Sequence, residues 1–285
     1  MSAIMAMEGV CLSFGHAAKA KRVLNNLTFS VRRGETYGFL GPSGAGKTTT
    51  IKLLTRQLSK DAGRIQLFGR PIENASAADF ERIGILSDTS ALYERMSIAE
   101  NLAFHAKLRG VSARAATALL DRMGLAADAK TPIKDCSKGM RQRAALCAAL
   151  VHTPELLFMD EPTSGLDPAS RAEVHRMFAE LRAAGTTIFL TTHDMAEAEA
   201  CCDRVAILDE GHVVACDTPR ALELAHARNR LIIQTRIHGT IECAKDAAGA
   251  VVVADLMSAG EVVSLHSDEP NLEEVFIELT GRSFS

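Results

Sequence analysis

No tryptophan and only two tyrosines occur in the 285 residues, so the chain has no aromatic platform for stacking sugars or single-stranded nucleic acid. No apolar run approaches the roughly 18 residues needed to cross a bilayer; long ones such as 144–151 stop at eight. No basic region precedes an apolar stretch at the start, where Glu8 already stands, so no signal peptide is expected. Nor is there an excess of one charge: 32 basic residues face 35 acidic ones, which excludes a strongly basic nucleic-acid footprint. The seven cysteines are odd in number and lack paired metal spacing, as in a reducing compartment. Cys201 and Cys202 read as small buried side chains rather than a redox pair. These absences leave a cytoplasmic chain, long enough for one large domain or two ordinary ones.

What is present centres on residues 41–49, Gly41-Pro42-Ser43-Gly44-Ala45-Gly46-Lys47-Thr48-Thr49. A buried-strand run, 37–40, precedes them, and 48–58 follows with Ile51, Leu54 and Leu58 at helical spacing. A glycine-rich turn between strand and helix turns backbone N–H groups inward onto an anion, and the helix N-terminus adds roughly half a positive charge. Lys47 can reach terminal phosphates and the Thr48 hydroxyl can ligate Mg²⁺.

Short strands are expected at 4–10 and 27–33, flanking a polar turn with Lys19, Lys21 and Arg22. Phe14, at the tip of the first, serves equally well as core packing or as a ring to stack on a purine. A turn is expected at 61–64, then strands at 65–68 and 83–87. From about Ser97 to Leu150 the pattern turns helical and alanine-rich, as in a helical insertion into an α/β core. Ser137 reads as an N-cap with amides beyond it able to meet an anion. Residues 156–159 are apolar and end in Asp160 and Glu161. A carboxylate at a strand's C-terminal end suits Mg²⁺, and Glu161 stands near enough to accept a proton from an attacking water. Residues 164–167 form a turn, Pro168 opens a helix with Val174, Met177, Phe178 and Leu181 inward, and 187–191 is a strand. His193, just past it, can face a bound γ-phosphate. A hairpin spans 205–215, and Thr218-Pro219-Arg220 breaks the chain. Beyond it, strands are expected at 231–237, 250–254 and 261–265, then a helix capped by Asn271 and Glu274.

Together these motifs resemble the ATP-binding cassette (ABC) family, specifically the nucleotide-binding subunit of an ABC transporter. Residues 41–48 are similar to its Walker A loop, 156–160 to Walker B, 164–167 to the D-loop and His193 to the switch histidine. Phe14 falls at the adenine-stacking position. Cys136-Ser137-Lys138-Gly139-Met140 occupies the place of the signature, and with the tail at 271–282 it resembles drug and antibiotic exporters whose permease is a separate chain. Two residues depart from the pattern. Cys136 replaces a packing Leu. Asp88 stands where the family has Gln, and being shorter it reaches Mg²⁺ or its water only if the loop is drawn closer.

The resemblance implies an α/β fold: a P-loop NTPase core of ABC type with an antiparallel β subdomain, a helical insertion at about 88–152, and a small α+β extension. The ATPase domain would cover 1–220 and the extension 221–285. It implies ATP and Mg²⁺ as cofactors: Thr48 and Asp160 on the metal, residues 41–49 and Phe14 on ATP, and Lys47, Glu161 and His193 in hydrolysis. Ser137, Lys138, Gly139 and Met140 of a second copy would complete the site. A transmembrane permease and a second nucleotide-binding subunit are the implied partners, with no nucleic acid, placing the chain on the inner face of the cell membrane. One rival is a soluble family member of translation or DNA repair, which usually carries two cassettes or a long heptad insertion, absent here. A phosphate-loop GTPase or kinase switch would need a guanine-reading Asn-Lys-x-Asp or a substrate lid, and this sequence has neither; a binding-only subunit sits poorly with intact Lys47, Asp160, Glu161 and His193.

Overall fold

Alternating burial sets the first strands of the computed structural model, which describes residues 3–15, 20–87 and 92–282. β1 (Ala3–Phe14) and β2 (Lys21–Arg32) pair antiparallel, with Leu24, Leu27, Phe29 and Val31 turned inward along β2. Both outrun the sequence expectation. Lys21 and Arg22, expected in a turn, open β2 opposite Phe14 and Ser13, because the ladder carries the polar ends along. β3 (Thr36–Leu40) leads to α1 (Lys47–Leu54), which stops short of the predicted Leu58. β4 (Ala62–Leu67) then pairs with β1, so the turn expected at 61–64 is mostly strand, and β5 (Arg70–Pro71) follows. Among the described residues the first sheet runs β2-β1-β4-β5.

After α2 (Ala77–Glu81), the strands β6 (Ile83–Leu86), β7 (Leu156–Asp160), β8 (Thr187–Thr192), β9 (Arg204–Asp209) and β10 (His212–Asp217) join β3 in a second sheet, ordered β10-β9-β3-β8-β7-β6. β3 lies parallel to β8 and β9, and β7 parallel to β6 and β8. β3, β7 and β8 are buried at every position, as helix-covered parallel strands require. Between β6 and β7 come α3 (Ile98–Leu108), α4 (Ala113–Arg122) and α5 (Lys138–Leu150), which pack on one another. α6 (Pro168–Ala183) buries the four predicted apolar residues, and α7 (Met195–Cys201) precedes β9. Glu210 and Gly211 join β9 to β10, both at positive φ, the geometry that suits a two-residue hairpin turn.

One apolar cluster is shared by the two sheets and α1. At its centre the rings of Phe29, Tyr37, Phe39, Phe158 and Phe189 approach with centroids 5.1 to 6.1 Å apart. Gly38 leaves room for Cys202, whose sulfur would lie 2.7 Å from a Cβ added there. Burial pushes the Cys202 thiol well up and that of Cys201 to about 12, so both behave as neutral apolar groups.

The chain divides into two units, Met1–Cys216 and Asp217–Ser285. In the second, residues 218–220 are not a break: the Thr218 hydroxyl accepts from Ala221 N, and Pro219 occupies the first turn of α8 (Pro219–Ala225). β11 (Arg230–Thr235) lies between β12 (Gly239–Ala244) and β13 (Val262–Ser267), antiparallel to both. The strand expected at 250–254 is instead inside α9 (Ala247–Ser258). Asp246 caps that helix through Gly249 N, and its flanking alanines, Leu256 and Met257 favour helix over the short valine run. The sheet's third strand is β12, not foreseen. α10 (Leu272–Thr280) carries the expected Asn271–Glu274 capping box.

Candidate active site

Parallel register brings the candidate side chains to one sheet edge. Leu40 lies beside Thr192 and Asp160 beside Thr191, so the turn after β3, the carboxylates after β7 and the histidine after β8 emerge together. The turn after β3 runs into the N-terminus of α1, where Gly46 has φ 112° and no side chain caps the helix. A Cβ at Gly46 would lie 2.6 Å from Leu24 Cδ2, so packing and backbone conformation both demand glycine. Uncapped first-turn N–H groups beside an ammonium form an anion cradle.

Lys47 is buried in that cradle. Its ammonium donates to the carbonyl oxygens of Gly41 at 2.7 Å and Pro42 at 3.4 Å, and lies 3.3 Å from Glu161 Oε1. Glu161 Oε2 meets His193 Nδ1 at 2.6 Å. The carboxylate is thus held between an ammonium and an imidazole. Glu161 has φ 50°, unusual for a residue with a Cβ, and its N–H donates to Thr191 O at 3.0 Å. Asp160, one residue earlier, accepts Thr48 Oγ1 at 2.6 Å on one oxygen and the Thr191 hydroxyl on the other. The Thr48 hydroxyl and Asp160 carboxylate form a pair of hard oxygen donors that fits Mg²⁺.

A cleft of about 380 Å³ is lined by Phe14, Ser43, Gly44, Gly46, Lys47, Thr48, Thr49, Asp160 and Glu161. Phe14 is 44% exposed, which removes the core-packing reading: its ring faces the cleft. Lys21 and Val23 also line it, from the same face of β2, and sequence reasoning missed both. The signal was their two-residue spacing opposite Phe14, hidden by reading the segment as a turn. Thr191 was missed too, since a β-branched strand residue looks like packing alone. Gly41, Pro42 and Ala45 shape the loop without lining the cleft, and His193 reaches it through Glu161.

Ser137, Lys138, Gly139 and Met140 do not line the cleft. Ser137 caps α5, its Oγ accepting from Met140 N at 3.1 Å. Gly139 faces Ser170, whose Oγ would lie 2.4 Å from an added Cβ, and the Lys138 ammonium packs over Gly165. Asp167 caps α6 through Ala169 N and Ser170 N, and hydrogen bonding from Ser170 holds its carboxyl below the usual range. The signature-like segment therefore sits against the turn at 164–167 of its own chain. Asp88 lies outside the described residues.

A phosphate loop at a helix N-terminus, a carboxylate on the adjacent strand and a carboxylate–imidazole pair beyond it define a phosphate-loop ATPase core. Residues 24–164 match the model of the ABC transporter family. The fluoroquinolones export ATP-binding protein of Mycobacterium tuberculosis (strain CDC 1551 / Oshkosh) is 39% identical over 96% of this chain and 93% of its own. The linearmycin resistance ATP-binding protein LnrL of Bacillus subtilis (strain 168) is 34% identical over 92% and 95%. Among solved structures, the ATP-binding subunit of an ABC transporter superposes with a TM-score of 0.68 at 30% identity, covering 78% of this chain and 92% of that one. A dimeric ATP-binding cassette bound to ADP and Pi, at 21% identity and a TM-score of 0.66 over 75% and 98%, shares the fold. This chain belongs to the ABC transporter family as one of its ATP-binding subunits, an ABC ATPase. No helix among the described residues is long and apolar enough to cross a membrane.

Proposed function

We propose that this chain hydrolyses ATP to drive a separate membrane permease in export, working as a head-to-tail pair. The observation that carries this reading is the contiguous set Lys47–Glu161–His193 beside Thr48–Asp160 at one cleft. ATP's phosphates take the anion cradle of residues 41–49, displacing the Lys47 ammonium from the Gly41 and Pro42 carbonyls. Phe14 stacks on the adenine. Thr48 and Asp160 would hold Mg²⁺, which would supply positive charge against the negative phosphate oxygens.

Glu161 accepts the proton of the attacking water, and His193, hydrogen-bonded to it, fixes the carboxylate and faces the γ-phosphate. Ser137–Met140 of a second copy close the site from the far side of the nucleotide, with the N-terminus of α5 toward the γ-phosphate. The position of these residues away from their own chain's cleft supports such a composite site. Loss of the γ-phosphate removes the shared ligand and lets the two copies part. The permease would take up that motion and hold the chain at the inner face of the membrane. Relatives named for fluoroquinolones export and for linearmycin resistance support export of a drug or antibiotic, selected by the permease.

Glu161→Gln keeps the shape and removes the base. With ATP and Mg²⁺ it should elute as a stable dimer on a sizing column, with turnover reduced about 100- to 10,000-fold. Elution as a monomer would refute the composite site.

A further inference from the structure

The structure assigns Glu197 and Thr163 to one buried strut that positions Glu161 against His193. This inference rests on the hydrolytic reading above and adds two residues to it. Thr163 stands two residues after Glu161, and Glu197 four residues after His193, in the first turn of α7. Both are buried, Glu197 being 1% exposed, and the Thr163 hydroxyl donates to Glu197 Oε1 at 2.7 Å. The segments that meet at the Glu161–His193 contact thus meet a second time, one helical turn away.

Three contacts from two helices brace the strut. His175 Nε2, on α6, lies 3.4 Å from the same Glu197 oxygen. One turn earlier on α6, Arg171 pairs with Asp194 at 2.7 Å, and Asp194 caps α7 through Glu197 N. From α5, Gln142 donates to Pro162 O at 2.7 Å, fixing the residue between Glu161 and Thr163. Packing alone is a poor explanation for Glu197: its second carboxylate oxygen is buried with no hydrogen-bond partner among the described residues. An apolar side chain would fill that place without such a cost, but would give Thr163 nothing to bind. A rigid hold on this turn is needed because Glu161 occupies left-handed backbone, which relaxes unless its neighbours fix it. Positioning errors of about 1 Å at a catalytic group are enough to slow a reaction 100-fold.

Thr163→Val keeps size and branching and deletes the hydroxyl; Thr163→Ser keeps the hydroxyl. ATPase kinetics, thermal midpoint and the imidazole nitrogen shifts of His193 are read on the full chain. Expected for Thr163→Val is a kcat at least tenfold lower, KM for ATP within twofold of wild type, and displaced His193 shifts. Thr163→Ser should restore kcat to within threefold and return the shifts. Wild-type kcat and unmoved His193 shifts in Thr163→Val would overturn the strut and leave the hydrolytic reading intact. So would a loss that follows the thermal midpoint, raises KM and is not rescued by serine. A wild-type chain without ATPase activity would overturn the hydrolytic reading and this inference together.

Discussion

Two helix N-termini in this molecule solve the same problem differently. α1 begins at Gly46 with no side-chain cap, a lysine buried beneath it and a cleft in front. α5 begins at Ser137, whose own hydroxyl satisfies Met140 N, and it faces the 164–167 turn rather than a cleft. The first end gathers cradle, hard oxygen donors and carboxylate from within one chain. The second is finished on its own side and offers only a capped dipole with little to act on nearby. The difference between them is what a dimer would exploit, because one end needs an anion and the other needs someone else's.

The largest effect that tests this contrast is Lys47→Ala. Deleting the ammonium from the cradle should lower ATPase turnover about 100- to 1,000-fold, and a phosphate-release assay on purified chain measures it. Ser137→Ala should act on the other end. Turnover falls roughly 10- to 100-fold, as for a hydrogen bond to a charged group, while ATP affinity of the dilute monomer is unchanged. Equal weakening of monomer binding would erase the distinction between the ends. Phe14→Ala sharpens the first end alone: KM for ATP should rise about tenfold with kcat preserved, as for loss of one base–aromatic stack.

The smallest effect separates the two ends of α5 itself. At its C-terminal side, His152 bonds the Ile83 carbonyl, and burial, with Arg109 nearby, pulls its pKa below the ordinary 6.5. The folded chain then binds that proton less readily than the unfolded one, so stability is full above pH 6.5 and declines as pH falls toward the lowered value. His152→Gln should flatten this slope in melting curves across pH 5 to 7, leaving nucleotide binding alone.

Much of the site was legible because its residues are consecutive: a phosphate loop, a strand ending in two carboxylates and a histidine past the next strand each announce themselves locally. What stayed hidden was built by pairing. Lys21 and Val23 enter the cleft only because β2 lies antiparallel to β1, and Thr191 reaches Asp160 only through parallel register. In the second unit the three-valine run misled, since β-branched residues argue for strand while a cap five residues upstream and flanking alanines decide for helix. α8 was lost in the same way, a Thr-Pro pair being read as an interruption when it begins a helix.

Glu161 occupies backbone that suits glycine, at an expense of roughly 1–2 kcal/mol for a side-chain-bearing residue. Glu161→Gly would relieve that strain while taking the carboxylate from the buried Lys47 ammonium and from His193, so the backbone's gain is offset by a buried charge left short of a partner. A screen that rewarded only a higher melting temperature would therefore gain little at that position, where the side chain is kept at the backbone's expense.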